Sequence, residues 1–139
     1  MKVILNKCYG GFDVSFEGYK LYAKKKGLNL FFYKTSNLNY RFLEKISCSC
    51  NGVLNYCFTK DFGLNICQDD MTHEDWNTLL NLDTSHRTDP ILIEVVEELG
   101  IKASGRFGEL QIVEIPDDME YEIDEYDGIE TLHELHRSW

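Results

Sequence analysis

Four of the five cysteines fall within one stretch of twenty residues. Thiolates are preferred ligands of structural zinc, which four sulfurs can surround at about 2.3 Å. Cys48 and Cys50 are separated by a single residue, so a strand would place both on one face. The spacing predicts a structural zinc site, with small buried side chains as the alternative. The predicted ligands are Cys48, Cys50, Cys57 and Cys67.

A row of carboxylates in the second half of the sequence is the next candidate for chemistry. Glu120, Glu122 and Asp124 would project from one face of a strand about 6.8 Å apart, comparable to the spacing of phosphates along a nucleic-acid strand. Such a row could fill the nucleic-acid groove of a basic protein, act as general bases, bind a divalent cation or simply be solvated. We favour protein binding, because no nucleophile or histidine accompanies the row in the sequence. The candidate partner-binding residues are Asp117, Asp118, Glu120, Glu122, Asp124 and Asp127.

The segment 7–12 contains a glycine pair and lies between a predicted strand and a predicted helix. Backbone N–H groups at a helix start can bind an anion, and Lys7 would assist. Tyr9 or Phe12 could stack on a base, and Arg106 could add a second cation. This glycine turn therefore offers an alternative function, in which the protein binds or acts on a nucleotide.

Helix caps and apolar periodicity predict the elements that must position these groups. Ser15 caps a helix over 16–26, whose closing lysines suit its negative end. Asp89 and Pro90 begin a second helix, which Gly100 ends. Strands are predicted over 3–6, 109–115 and 120–126, an antiparallel meander over 28–33, 40–46, 53–58 and 62–66, a short helix over 73–80, and a helix or strand over 129–136. These elements indicate a single α+β domain over 1–139, with two or three helices packed against a mostly antiparallel sheet.

Charge is distributed unevenly along the chain. Its 139 residues carry a formal net charge of −10, but residues 1–70 have a net charge of +4 and residues 71–139 one of −14. This balance argues against a protein that grips nucleic acid through its phosphates. The 43% apolar content argues against disorder, and no apolar run reaches the length of about 18 residues that spans a membrane. Because the first residues lack the pattern of a signal peptide, we expect a cytoplasmic protein.

Short segments in the first twelve residues and in the second half carry a further signal. They are NKCYGGF at 6–12, RTDP at 87–90, VVEELG at 95–100, ASGRF at 103–107, IVEIPDD at 112–118, EIDEYDG at 122–128 and HRSW at 136–139. Through these segments the chain resembles, over about half of its length, a family of small uncharacterised phage and prophage proteins. The resemblance implies a phage setting and brings no established catalytic motif. The cysteine-rich middle of the chain matches less well.

The acidic segment and the resemblance together suggest a function. Small acidic phage proteins often neutralise host defences, so we expect an anti-CRISPR-like, non-enzymatic inhibitor. Its acidic C-terminal half, with the glutamates of 94–98, would cover the basic nucleic-acid-binding surface of a host protein such as a CRISPR effector. No direct nucleic-acid or membrane partner is expected. The nucleotide-binding alternative at the glycine turn stays open.

Overall fold

The computed structural model describes residues 1–36, 39, 41–46, 56–105 and 108–135. Within these residues, eight strands form three antiparallel sheets that are accompanied by three α-helices, which confirms the predicted α+β class. The helices are α1 (Phe16–Lys26), α2 (His73–Trp76) and α3 (Pro90–Leu99). The strands are β1 (Lys2–Asn6), β2 (Phe31–Thr35), β3 (Phe42–Ile46), β4 (Tyr56–Phe58), β5 (Asn65–Cys67), β6 (Leu110–Glu114), β7 (Tyr121–Tyr126) and β8 (Ile129–Glu134).

The antiparallel pair of β1 and β6 is covered on both faces. Ile4 is fully buried in the core to which α1 and α3 contribute. Val3 and Leu5 point to the opposite face, as alternate residues of a strand must, and pack with the β7–β8 hairpin. Burial on both faces explains why the start of the chain is a continuous apolar run rather than an alternating one.

Both long helices begin at the predicted caps. The Ser15 hydroxyl accepts the N–H of Gly18 at 3.0 Å, and the Asp89 carboxylate accepts the N–H of Ile91 at 2.9 Å. Gly27 ends α1 in the left-handed conformation, with a φ of 75°. Among the described residues, no helix is long and apolar enough to cross a membrane.

The four-stranded sheet is not the meander that the sequence predicted. Its order is β4-β2-β3-β5, so the chain leaves β3 and returns on the far side of β2. Phe32 of β2 lies opposite Cys57 of β4, and Leu43 of β3 lies opposite Ile66 of β5. The alternation of side chains specifies which face a strand buries, but it does not specify which strand is its neighbour.

Aromatic packing accounts for the position of β4 beside β2. The rings of Tyr33 and Phe58 lie 5.8 Å apart on these strands, and the ring of Trp76 lies 5.9 Å from that of Phe58. Leu79 forms a β-bridge with Phe58, so the chain after α2 turns into a strand-like contact. The predicted helix over 73–80 is therefore wrong beyond residue 76.

The Asp-Gly dipeptide decides the structure of the last described segment. Asp127 and Gly128 both have a positive φ, of 49° and 93°, as the favoured two-residue hairpin turn requires. The chain therefore folds back on itself, and Ile129–Glu134 forms β8 rather than a helix. Residues 136–139 lie outside the part that the structure describes.

Candidate functional site

The predicted carboxylate row lies on one face of the β7–β8 hairpin, which we call the outer face. Glu120, Glu122 and Asp124 are exposed, whereas Tyr121 and Ile123 between them are half-buried. The outer face consists of Glu120, Glu122, Asp124, Tyr126, Ile129, Thr131 and His133. All six candidate partner-binding residues are exposed: Asp117, Asp118, Glu120, Glu122, Asp124 and Asp127.

Asp117 and Asp124 form ion pairs within the chain. Asp117 accepts a hydrogen bond from the N-terminal ammonium of Met1 at 2.5 Å, and this bond lowers the pKa of Asp117. Asp124 lies 2.9 Å from Nε2 of His133 on the neighbouring strand. No histidine accompanies the row in the sequence, but the antiparallel turn brings β8 back beside β7 and places His133 next to Asp124. The Asp117 and Asp124 side chains remain 91% and 68% exposed.

The inner face of the hairpin holds the outer face in position. Tyr121, Ile123 and Leu132 pack with Val3 and Leu5 of β1. Because successive side chains of a strand point to opposite faces, the alternation that exposes the row also buries its support.

A buried ion pair joins the hairpin to the segment before α3. Nη2 of Arg87 lies 2.7 Å from Oε2 of Glu130, and their side chains are only 14% and 6% exposed. Oε1 of Glu130 also accepts the backbone N–H of Asn6 at 2.9 Å, and Nη1 of Arg87 donates to the carbonyl of Ile4 at 3.2 Å. A buried charge is costly unless it is paired. The pair therefore fixes the hairpin against β1.

The fully buried side chain of Asn6 extends this network. Its Nδ2 donates to the carbonyl oxygens of Cys8 at 2.8 Å and Gly128 at 2.5 Å, and its Oδ1 accepts the N–H of Glu109 at 2.8 Å. One amide thus joins three chain segments and satisfies both of its polar atoms.

The glycine turn is packed directly against the tip of the hairpin. The N–H of Gly10 donates to the carbonyl of Asp127 at 3.1 Å. A Cβ on Gly128 would lie within 2.9 Å of this turn's backbone, so only glycine permits the contact. Tyr9 and Tyr126, each next to the contact in sequence, are 65% and 73% exposed.

A cleft of about 560 Å³ lies between the glycine turn, the segment 84–87 and the hairpin. The Arg87 guanidinium lies 5.7 Å from the centroid of the Phe12 ring. Thr84 and Ser85 contribute hydroxyl groups to the lining. The lining residues that bear on its chemistry are Phe12, Thr84, Ser85, Arg87, Ile123 and Glu125.

The described residues do not assemble the anion site expected at the glycine turn. The Lys7 ammonium donates to the carbonyl of Glu130 at 2.9 Å, and the Ser15 hydroxyl caps the start of α1. Arg87 is balanced by the same Glu130. Arg106 lies outside the described residues.

The glutamates of α3 are partly used within the chain. Glu97 pairs with Lys2 at 3.0 Å, and Glu98 pairs with Lys25 at 2.9 Å. These contacts hold α3 to β1 and α1, so glutamates of the segment 94–98 are already engaged within the chain.

The structure separates two of the predicted zinc ligands. Cys57 lies on β4 and Cys67 on β5, the opposite edges of the four-stranded sheet. Three strand spacings place them at least about 14 Å apart. Two sulfurs bound to one zinc lie within about 4.6 Å of each other. A site that contains both Cys57 and Cys67 therefore does not fit this sheet.

Zinc binding by the cysteines stays a prediction. Burial raises the pKa of Cys57 to about 12, so this thiol is protonated at neutral pH. Cys48 and Cys50 lie outside the described residues. Within the described ranges, no group of three or more His, Cys, Asp and Glu residues is arranged to hold a metal. Any zinc set would use at most one of Cys57 and Cys67.

The sequence patterns missed the Arg87–Glu130 pair. Glu130 shares a face with Leu132 only in a strand, and the segment 129–136 was open between strand and helix. The alternation of side chains along a strand was therefore the signal that could have placed Glu130 on the inner face of the hairpin. Arg87 lies in an irregular segment, where no periodicity indicates burial.

Comparisons with known proteins give no match. No protein-family model, no curated protein and no solved structure matches the chain. The resemblance of its short segments to phage proteins therefore stays a prediction. The role of the site must be inferred from its own charge, exposure and contacts.

Proposed function

We propose that this protein is a phage-encoded, non-enzymatic inhibitor that binds a host defence protein through the outer face. The proposed partner has a basic nucleic-acid-binding surface, as a CRISPR effector has, and is met in the cytoplasm of the infected bacterium. The observation that carries the proposal is the exposed carboxylate row on a hairpin whose opposite face is buried. The phage setting rests on the sequence resemblance.

Electrostatic complementarity supports a basic partner. Carboxylates about 6.8 Å apart along a strand can meet the cations that would otherwise hold successive phosphates. The second half of the chain has a net charge of −14, which would steer it toward a positive groove and speed association. A protein that fills such a groove excludes nucleic acid without any chemical reaction.

Two exposed tyrosines supply anchors beside the acidic row. Tyr126 ends β7 on the outer face, and Tyr9 flanks the glycine turn that touches the hairpin tip. Tyrosine is enriched at protein interfaces and among the residues that carry most of the binding energy. Because the hairpin is fixed by the Arg87–Glu130 pair, binding would require little further ordering of this surface.

The exposure of the row favours binding over catalysis. General acids and bases are most effective where burial or neighbouring groups tune their pKa. Glu122 is exposed, and Asp124 and His133, which contact each other, have side chains that are 68% and 51% exposed. These groups are well placed to form ion pairs with a partner.

The proposal is tested by competition against nucleic acid. The protein is titrated into a panel of purified CRISPR effectors loaded with fluorescent target DNA, and release of the DNA is followed by anisotropy. We expect displacement from one effector. The triple variant Glu120→Lys, Glu122→Lys, Asp124→Lys should require at least about 100-fold more protein, because each reversed charge would face a like charge on the partner.

A matched control carries the same change in net charge elsewhere on the surface. Glu17, Asp70 and Glu74 are all exposed and lie outside the hairpin, and each is replaced by Lys. We expect this control to displace DNA as well as the wild type does, with thermal melting to verify that every variant is folded. Equal loss in both triple variants, or no displacement by the wild type from any effector, would contradict the proposal.

A further inference from the structure

We propose that the cleft beside the hairpin tip receives an arginine side chain of the protein partner. The inference rests on the proposed function, since it supposes a basic partner, and it names the contact that anchors that partner. The cleft, of about 560 Å³, opens between Phe12, the segment 84–87 and the hairpin. It is an open, concave surface at the hairpin tip, and the hairpin contributes Ile123 and Glu125 from the face opposite the acidic row.

The charges around the cleft favour a cation. Arg87 and Glu130 balance each other at 2.7 Å, so Glu125 decides the net charge of the lining. Glu125 is exposed and accepts the N–H of Gly128 through Oε1 at 2.9 Å, and its second carboxylate oxygen can accept a further donor. An anionic ligand would meet this carboxylate and the exposed Asp127 beside the tip.

The lining favours a guanidinium over an ammonium. Phe12 and Ile123 offer apolar surface to the stem of a long side chain, and Thr84 and Ser85 offer hydroxyl oxygens. A planar guanidinium can donate to a carboxylate and to a hydroxyl at once, and it stacks well on aromatic rings, whereas an ammonium is a compact point charge. The protein already contains one such contact, because the Arg87 guanidinium lies 5.7 Å from the Phe12 ring centroid.

The walls of the cleft are fixed by contacts within the chain. Gly10 donates to the carbonyl of Asp127 at 3.1 Å, and Nε of Arg87 donates to the carbonyl of Thr84 at 3.2 Å. The Arg87–Glu130 pair joins the segment 84–87 to the hairpin. A preformed surface loses little conformational freedom on binding, and arginine is one of the residues most enriched at interface hot spots.

The test uses the whole protein and a small probe, N-acetyl-arginine methylamide, followed by amide chemical shifts in NMR. We expect shifts at Phe12, Ser85 and Gly128. The neutral citrulline analogue should cause none, and the lysine analogue should bind about tenfold more weakly. Glu125→Gln should weaken the arginine probe about tenfold, because it removes the charge while keeping an oxygen for the Gly128 N–H.

Glu134→Gln is the matched control, because it removes one exposed carboxylate from the same hairpin, at the end away from the cleft and outside the acidic row. It should bind the probe as the wild type does. The inference is overturned if the cleft amides do not shift, if citrulline shifts them equally, or if adenosine monophosphate shifts them in place of the arginine probe.

The failure of this inference and the failure of the proposed function give different results. If the protein binds the arginine probe at the cleft but displaces DNA from no effector, the arginine site is supported and the proposed function is contradicted. If the protein displaces DNA through the outer face, but neither the probe nor Glu125→Gln has any effect, the proposed function is supported and the arginine site is contradicted.

Discussion

The two faces of the β7–β8 hairpin place the same chemical group in opposite environments. On the inner face, Glu130 is 6% exposed at its side chain and paired with Arg87. On the outer face, Glu122 is exposed. The two carboxylates lie on opposite faces of the hairpin, but the inner face alone does not bury a carboxylate, since Glu125 shares that face with Glu130 and is exposed. An acidic composition therefore does not identify a binding surface, because one carboxylate of the hairpin supports the fold while another faces solvent and can meet a partner.

The largest expected effect on stability comes from removing the buried carboxylate of Glu130. Glu130→Ala leaves the Arg87 guanidinium buried without its partner and should lower the free energy of unfolding by about 3–5 kcal/mol. The matched variant on the exposed face, Glu122→Ala, should change it by no more than about 0.5 kcal/mol. Urea denaturation followed by circular dichroism measures both.

A double variant shows whether the loss in the free energy of unfolding comes from the charge that is left unpaired. Arg87→Ala combined with Glu130→Ala should cost less than the sum of the two single changes, because neither charge is then left alone. Additive losses, or a loss below about 1 kcal/mol for Glu130→Ala, would contradict the role given to the pair.

The next effect concerns the contact of the glycine turn with the hairpin tip. Gly128→Ala should lower the free energy of unfolding by about 2–3 kcal/mol, because it adds a Cβ against the backbone of Gly10 at a φ of 93°. Gly63 is the control, since its φ is 85° but no atom lies within 4 Å of an added Cβ. Gly63→Ala should cost about 1 kcal/mol, from backbone strain alone. Equal losses in thermal or urea unfolding would show that the contact is not tight.

A third carboxylate, that of Asp89 at the N-terminal cap of α3, is half-buried. We expect its contribution to stability to be smaller than that of the buried pair. Burial by itself raises the pKa of Asp89, but hydrogen bonds from the Tyr22 hydroxyl, at 2.6 Å, and from the Ile91 N–H outweigh it and hold that pKa below its usual value. The charged form therefore stabilises the fold above the ordinary Asp pKa of about 3.9, and this stability is lost as the pH falls through the lowered pKa.

Tyr22→Phe tests this pH dependence. It should cost about 1 kcal/mol at neutral pH, and the difference from the wild type should shrink as the pH falls below about 4. Urea unfolding at several pH values measures the difference. A difference that stays constant down to pH values of about 2 would mean that the hydroxyl does not favour the charged carboxylate.

The smallest expected effect concerns zinc binding by the cysteines. At least one of two single cysteine variants should bind the metal as the wild type does. Native mass spectrometry with and without a chelator tests the zinc prediction. If one zinc is bound, at least one of Cys57→Ser and Cys67→Ser must retain it, because the two residues are on opposite edges of the sheet. Loss of the metal from both variants would contradict this sheet order, and a metal-free wild type would contradict the zinc prediction.

Local chemistry made much of the scaffold predictable. Ser15 and Asp89 cap their helices through side-chain oxygens, which is a property of those residues and their neighbours. Asp127 and Gly128 adopt the positive φ values for which this dipeptide is suited. Alternation also placed Glu122 on an exposed face before any partner strand was known.

The features that sequence patterns did not give depend on long-range pairing. The order of the four-stranded sheet arises from contacts such as that of Tyr33 with Phe58, which local periodicity does not encode. Glu130 and Arg87 are 43 residues apart, and each is of a type that is normally exposed. The cleft forms only because the glycine turn meets the hairpin tip, so its lining could not be assembled from the sequence.

The central claim is that the outer face takes the place of nucleic acid on a basic partner. The most direct test measures the Kd of the protein for the effector it inhibits, with and without saturating DNA, at low and high salt. We predict no binding to the DNA-saturated effector, and a Kd that rises with salt because the ion pairs are screened. Simultaneous binding of protein and DNA, with a Kd that salt does not change, would contradict the claim.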